Sequence, residues 1–278
     1  MKLHLLTVLL VGVGIVGATY SDDRPKEPAP TTKVFEWERG IAVESREQKD
    51  MAVFLWFYEW NMFDAVKKGE HTQGTFKHPR KVNKEQTEAV IGSEELQLTV
   101  KATDGGADLL LTITNKSDHD WPDIAGIIPC FSPGKTGDDP RNPEFANEKT
   151  YFLGPKGLEL LKKREIHFNE KHRKAVDAAS RQGQFVFSDK WPTAEPNAKG
   201  GVIIRESTDG RWVTGIAWED YLSVQGHNPW QCMHLCVRVG PLKQTETKRV
   251  RGKIYLFKGT KEDCMKRYLA DFKEGAPK

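Results

Sequence analysis

Long apolar runs are scarce in this sequence, and the longest lies at its start, from Leu5 to Val16 behind a single Lys2. The run is shorter than the roughly 20 residues that a bilayer-spanning helix needs, which disfavours a membrane anchor. Small residues, Gly17 and Ala18, follow it where a signal peptidase would cut. We therefore predict a secretory signal peptide over residues 1–18. No cysteine follows to carry a bacterial lipid anchor at that place, so we expect a secreted or periplasmic protein without membrane contact after signal removal.

A large imbalance of charge is absent as well. The chain has 42 basic and 39 acidic residues, scattered along its length, and a net charge of +3. No polycationic patch for nucleic acid is visible, and no basic helix suggests a membrane surface. We expect a partner that is neutral or weakly anionic, and the composition leaves the oligomeric state open.

Cysteine is sparse, with four residues at Cys130, Cys232, Cys236 and Cys264. A chain of this size can bury a core without cross-links, so two disulfides in any of three pairings and buried thiols both remain open. The period of a strand would put Cys232, His234 and Cys236 on one face. The outer two would then lie about 13 Å apart, too far for one metal ion unless the strand bulges. We therefore predict no metal site and no cofactor.

Short strands joined by turns account for most of the chain. Glu95–Lys101 and Leu109–Thr114 alternate apolar and polar residues around an Asp104-Gly-Gly106 turn, which predicts an antiparallel hairpin. Met51–Tyr58 is a continuous apolar run, typical of a central strand covered on both faces. Thr260 can cap a C-terminal helix. These patterns predict an all-β fold, an antiparallel β-sandwich with a short C-terminal helix.

The composition also predicts where the folded domain begins. The segment from Ser21 to Thr32 is rich in proline and charge and cannot build a core. We predict a flexible tether over residues 19–33 and a single β-sandwich domain over residues 34–278.

The C-terminal part of the chain contains a cluster of reactive side chains. Gly201–Glu206 and Arg211–Trp218 flank an Asp209-Gly210 turn, which predicts a second hairpin. The polar segment Glu219–Pro229 then reads as a loop held between rigid strands, and polar loops of this kind often form sites.

Three functional classes fit that loop. In the first, Glu219, Asp220 and His227 form an acid–base group, because a carboxylate and a histidine near neutrality can divide proton removal from proton delivery. An epimerase, a lyase and a hydrolase all use such chemistry. In the second class, the same loop binds a saccharide without reaction. An extracellular interaction protein is the third.

Aromatic residues would supply the binding surface in the first two classes, since flat rings stack on sugar faces. The candidate ligand-binding residues follow the apolar strand or frame the polar loop: Trp56, Trp60, His71, Trp218, Asn228 and Trp230. Packing of most of these rings in the core is the alternative, with the polar loop residues solvated.

The chain resembles uncharacterised secreted bacterial proteins in three segments, Leu109–Ser117, Ile216–Trp218 and Gly240 to Phe257. The chain is also similar to β-supersandwich domains of the galactose mutarotase kind. This resemblance implies two large antiparallel sheets packed face to face and a carbohydrate bound on a concave sheet. It also implies catalysis by a histidine and an acid, although no motif places the family's catalytic residues on numbered positions here.

Overall fold

The computed structural model describes residues 28–49, 51–61, 72–73, 79–134, 144–145, 147–182 and 192–272. The predicted signal peptide, most of the tether and His71 lie outside these ranges. In chain order the strands are β1 (Thr32–Trp37), β2 (Gly40–Ser45), β3 (Ala52–Asn61), β4 (Thr72–Gln73), β5 (Arg80–Val82), β6 (Glu88–Gly92), β7 (Leu96–Thr103), β8 (Gly106–Thr114), β9 (Gly126–Gly134), β10 (Thr150–Gly154), β11 (Gly157–Leu160), β12 (Ile166–Phe168), β13 (Val202–Glu206), β14 (Trp212–Trp218), β15 (Tyr221–Gln225), β16 (Met233–Arg238) and β17 (Thr247–Lys258). The helices are α1 (Arg173–Arg181) and α2 (Lys261–Asp271), with a 3-10 turn at Asn147–Lys149.

These strands form two sheets. The first has eight strands in the order β1-β2-β3-β9-β16-β15-β12, with β4 paired to β3, and the second has nine in the order β11-β10-β13-β14-β17-β8-β7-β6-β5. In the described ranges every ladder between named strands is antiparallel. The predicted antiparallel β-sandwich is confirmed.

The main hydrophobic core lies between the sheets and takes side chains from both, such as Leu55 of β3 and Ile216 of β14. Strand β3 pairs with β2 on one side and β9 on the other. Leu55 belongs to the main core, whereas Phe54 and Trp56 pack in a separate cluster with Trp37. Both faces of β3 are therefore covered, as its continuous apolar run predicts.

Both predicted hairpins are present. Strands β7 and β8 pair from Leu96–Ile113 to Thr103–Gly106, and Gly105 has a φ of 78° in the turn. Strands β13 and β14 pair across a turn in which Gly210 has a φ of 72°. A positive φ of this size is strained for most side chains, which is why glycine marks each turn.

Each helix covers the outer face of one sheet. Val176 of α1 packs with Phe168 and Leu222 of the first sheet. Tyr268 of α2 packs against the second sheet, and the predicted cap at Thr260 is present as a reciprocal capping box with Asp263. Among the described residues, no helix has the length and apolarity to cross a membrane.

Strand β9 continues through Pro129 to Gly134, because the register of β3 shifts opposite it between Trp56 and Trp60 and a proline is tolerated at such an irregularity. One local prediction needs correction. The predicted loop Glu219–Pro229 contains strand β15, whose Leu222 and Val224 pack into two separate hydrophobic clusters.

Candidate functional site

A cavity of about 1050 Å³ opens where the chain passes from the second sheet to the first. The crossing consists of Glu219 and Asp220, which connect β14 to β15. The cavity is lined by Leu110, Asn169, Glu170, Lys171, His172, Ala198, Lys199, Glu219, Asp220, Tyr221, Arg238, Lys248, Arg249 and Arg251. We call this cavity the charged cleft.

Asp220 lies at the centre of an ion-pair network in the charged cleft. Its two carboxylate oxygens accept hydrogen bonds from Arg238 Nε at 2.8 Å and Nη2 at 2.9 Å, and one also accepts from Lys248 Nζ at 2.7 Å. Arg238 Nη1 donates to Asp123 Oδ1 at 2.8 Å, and Asp123 Oδ2 lies 3.0 Å from His172 Nδ1. The two-pronged contact fixes the guanidinium plane, so five charged or titratable groups hold one another in position.

The other acidic groups of the cleft are also engaged. Glu219 accepts hydrogen bonds from the backbone N–H of Arg251 at 2.7 Å and from its Nε at 2.9 Å. Glu170 forms an ion pair with Lys199. Three carboxylates therefore face six basic side chains in the lining, and the excess of positive charge favours an anionic ligand.

Two of those cations are available to a ligand. Lys171 and Arg249 are exposed, and neither forms an ion pair within the described ranges. Tyr221 is less available, because its hydroxyl donates to Ala198 O at 3.1 Å and burial raises the pKa of the phenol.

The structure does not bring His227 and Glu219 together. Glu219 precedes β15 and His227 follows it, so the five residues of the strand separate them by about 16 Å. His227 does not line the charged cleft. It is half-buried with a φ of 53°, and its Nδ1 has no hydrogen-bond partner in the described part of the chain. Of the predicted acid–base residues, only Glu219 and Asp220 share one site.

The predicted aromatic surface is also divided. Trp218 is 0% exposed, and its ring lies so close to Gly252 that a Cβ there would stand 2.4 Å from it. Trp56 is buried, with the guanidinium of Arg39 5.2 Å from its ring centroid. These two rings belong to the interior, because large apolar surfaces gain most by leaving water, and neither offers a face to a ligand.

The remaining predicted binding residues lie elsewhere. Trp230 is 60% exposed, with Arg164 5.9 Å from its ring, beyond the far end of β15. Asn228 is buried and holds its loop together by donating to Cys232 O at 2.7 Å. Trp60 lies in β3, opposite Gln73 and Ile128.

A second buried polar centre lies beside that loop. Arg205 is 0% exposed and donates to Thr150 Oγ1 at 2.7 Å, Gln231 O at 2.5 Å and Asn147 Oδ1 at 3.1 Å. Burial lowers the pKa of its guanidinium to about 10. These hydrogen bonds anchor the loop, and the guanidinium keeps its charge at neutral pH because its pKa stays well above 7.

Sequence reasoning missed several residues of the charged cleft and of the ion-pair network beside it. Asp123 and His172 are 49 positions apart and meet only in the fold. Arg238 did leave a signal, since it is a lone charged residue closing the apolar strand β16. Such a residue needs a partner when the strand end is partly buried, and Asp220 supplies it.

No protein-family model matches the chain, and no curated protein matches it. The solved structures that are similar in fold include three with the following names. A galactose mutarotase related enzyme from Lactobacillus acidophilus is 12% identical with a TM-score of 0.43, over 84% of this chain and 97% of that one. A polysaccharide lyase is 9% identical with a TM-score of 0.43, over 88% of this chain and 35% of that one. A candidate aldose 1-epimerase from Escherichia coli K12 is 8% identical with a TM-score of 0.40, over 82% of this chain and 99% of that one.

Two of these neighbours have names of the kind that the sequence resemblance indicates, a galactose mutarotase related enzyme and a candidate aldose 1-epimerase. With TM-scores below 0.5, they assign no activity to this chain. The feature of this chain that bears on its function is the charged cleft.

Proposed function

We propose that the protein binds an acidic saccharide, such as a uronate-containing oligosaccharide, in the charged cleft. The observation that carries the proposal is a wide cavity whose lining contains six lysine or arginine side chains and three carboxylates. Lysine and arginine side chains bind carboxylates through charge-assisted hydrogen bonds. The carboxylates of the cleft accept hydrogen bonds from hydroxyl groups, and they would repel a ligand that carried only negative charge. A sugar acid presents both kinds of group.

A specific contact favours acid–base chemistry at the same place as a second candidate function. His172 lines the cleft and its Nδ1 lies 3.0 Å from a carboxylate oxygen of Asp123. A histidine that donates Nδ1–H to a carboxylate keeps Nε2 as the proton acceptor. We propose His172, in place of His227, as the group that exchanges a proton with the saccharide in an epimerase, lyase or hydrolase reaction.

Export is part of the proposal. A signal peptide over residues 1–18 would deliver the protein to the compartment where extracellular polysaccharides occur. N-terminal sequencing of the protein recovered from an expressing bacterium tests it, and a mature protein beginning at Thr19 is expected. Retention of Met1 in the cytoplasm would contradict export.

Binding is tested by titration calorimetry with matched oligosaccharides that differ only in carboxylation. We expect the uronate form to bind and the neutral form to bind at least about tenfold more weakly, with an affinity that falls as salt rises. The double variant Lys171→Gln/Arg249→Gln should lose most of that preference. Lys81→Gln, which removes an exposed lysine on β5 away from the cleft, is the control. Equal affinity for both ligands, or none for either, would favour the interaction-protein class.

Turnover is tested with a panel of mono- and polysaccharides monitored for new reducing ends, unsaturated products and anomeric exchange. His172→Gln should lower the rate of any such reaction by about a hundredfold or more while leaving saccharide binding intact. His119→Gln, in an exposed loop, is the control. Binding without reaction in the wild-type protein would leave a non-catalytic saccharide-binding protein.

A further inference from the structure

Two cysteines and a histidine meet on the first sheet, at the opposite end of β16 from the charged cleft. The Sγ atoms of Cys130 and Cys232 and a ring nitrogen of His234 all lie within 4.8 Å of one another. Cys130 lies on β9 directly opposite His234 on β16, and Cys232 Sγ is 3.5 Å from His234 Nε2. The distance along β16 from His234 to Arg238, which lines the charged cleft, is about 13 Å. The two sites are therefore separate.

The donor atoms already approach the spacing that a tetrahedral metal imposes. Zinc bonds of about 2.3 Å to sulfur and about 2.0 Å to nitrogen place neighbouring ligand atoms roughly 3.5–3.8 Å apart. The contact between Cys232 and His234 has that spacing. The other separations are at most 4.8 Å and need to close by about 1.3 Å at most, which side-chain rotations provide.

The surroundings hold these groups in place. Cys232 is 5% exposed and His234 is 3% exposed. Asn228 holds the backbone of Cys232 by donating to its carbonyl at 2.7 Å, and Arg205 donates to the carbonyl of the preceding Gln231 at 2.5 Å. Outer contacts of this kind orient metal ligands and exclude competing geometries.

A further buried group lies beside the cluster. Gln225 stands opposite His234 across the β15–β16 ladder and is 3% exposed. Its Oε1 makes no hydrogen bond within the ranges that the structure covers. A buried amide oxygen normally has a partner, and a metal-bound water would supply one here.

We propose that Cys130, Cys232 and His234 bind one thiophilic divalent cation, with zinc as the occupant. Two thiolates and an imidazole are soft donors that select zinc over magnesium or calcium. Two thiolates also neutralise the charge of the ion in a buried site. Three protein ligands leave a fourth position for water or a ligand, which is the pattern of reactive zinc centres.

Cysteine spacing along the sequence does not show this site. The local triad Cys232, His234 and Cys236 is too spread, and Cys236 packs instead with Leu222 beneath α1. Cys130 takes its place from a strand about a hundred positions earlier, through the β9–β16 pairing. The proposal is independent of saccharide binding.

Cobalt substitution tests the proposal on the full chain, reduced and stripped of metal. One equivalent of Co²⁺ should produce thiolate charge-transfer absorption in the near ultraviolet and the visible bands of tetrahedral cobalt, and Zn²⁺ should displace it. Cys130→Ser and His234→Ala should each weaken Zn²⁺ binding by about a hundredfold or more. Cys264→Ala removes a buried thiol in α2 and should leave binding unchanged.

A second measurement covers variants that do not fold. Zn²⁺ should protect Cys130 and Cys232 of the wild-type protein from alkylation in mild denaturant, relative to Cys236 and Cys264, as read by peptide mass spectrometry. Absence of the cobalt bands, or bands that persist unchanged in folded Cys130→Ser, would overturn the proposal. So would a Cys130–Cys232 disulfide in the isolated protein if the reduced form then failed to bind zinc.

Discussion

Asp220 shows how one side chain can hold a site together. It receives three hydrogen bonds from Arg238 and Lys248, whose side chains are 14% and 21% exposed. Charges at this depth are stable only with a partner, so the carboxylate is needed for the cations to remain at the cleft. Glu219, its neighbour in sequence, forms a more exposed pair with Arg251.

We expect Asp220→Asn to lower the free energy of unfolding by about 2 kcal/mol, because it removes the carboxylate partner of Lys248 and one of the two carboxylates that pair with Arg238. Glu219→Gln, the matched control, should cost about 0.5 kcal/mol, as exposed pairs usually do. Urea unfolding at neutral pH measures both. Equal losses for the two variants would show that Asp220 is no more important than a surface pair.

At the scale of elements, turns and strand pairing decide where side chains meet. The β13–β14 turn is closed by Asp209, which accepts hydrogen bonds from Ser207 Oγ at 2.7 Å and Arg211 N at 3.0 Å. Hydrogen bonds hold the pKa of the Asp209 carboxyl well below its usual range. The bond from the Ser207 hydroxyl contributes most, and those from Arg211 come next. The turn is therefore stabilised by the ionised form of Asp209.

This pKa shift predicts a pH dependence. A folded-state pKa below the unfolded value of about 3.9 means that the contribution of Asp209 is fully present above about pH 4 and is lost as the pH falls further. Asp209→Asn removes that contribution at every pH, so its Tm should fall less than the wild-type Tm between about pH 5 and pH 2. Glu94→Gln, in an exposed turn, should retain the wild-type slope. If the Tm of Asp209→Asn and the Tm of the wild-type protein fell by the same amount over this pH range, the ionised Asp209 carboxylate would not stabilise the turn.

At the scale of the whole molecule, the two sheets share one core. Leu55 of the first sheet and Ile216 of the second belong to the same cluster. Neither sheet can keep its apolar face out of water without the other, which favours a single cooperative transition.

We therefore expect unfolding curves from far-ultraviolet circular dichroism and tryptophan fluorescence to coincide. Trp56 reports on the first sheet and Trp218 on the second, and both are buried. Leu55→Ala should lower the free energy of unfolding by about 3 kcal/mol on either signal, because it opens a cavity in the shared core. Two separated transitions, or a shift confined to one signal, would reveal sheets that unfold independently.

Local patterns predicted much of this fold. Each of the successful predictions depends on a few neighbouring residues. They are the alternation in Glu95–Lys101 and Leu109–Thr114, the glycine turns, the apolar run of β3 and the cap at Thr260. Such signals are legible in sequence because the side-chain period of a strand and the geometry of a turn are local properties.

The sites were predictable only in part. Glu219 and Asp220 were found because they follow a recognisable strand, but His227 was paired with them because β15 was read as a loop. Trp218 was taken as a surface ring, although nothing in its own segment shows that Gly252 packs against it. Burial and side-chain direction depend on which strands become neighbours.

The sequence by itself determined the all-β class, the two main hairpins and the closing helix, since each follows from short-range periodicity and capping. Only the tertiary structure decided that Asp123 meets His172, that Arg238 meets Asp220, and that Cys130 meets His234. Those contacts join residues 18 to 104 positions apart through strand order and register. Register is set by the packing of whole sheets on a common core, a property that no single stretch of sequence contains.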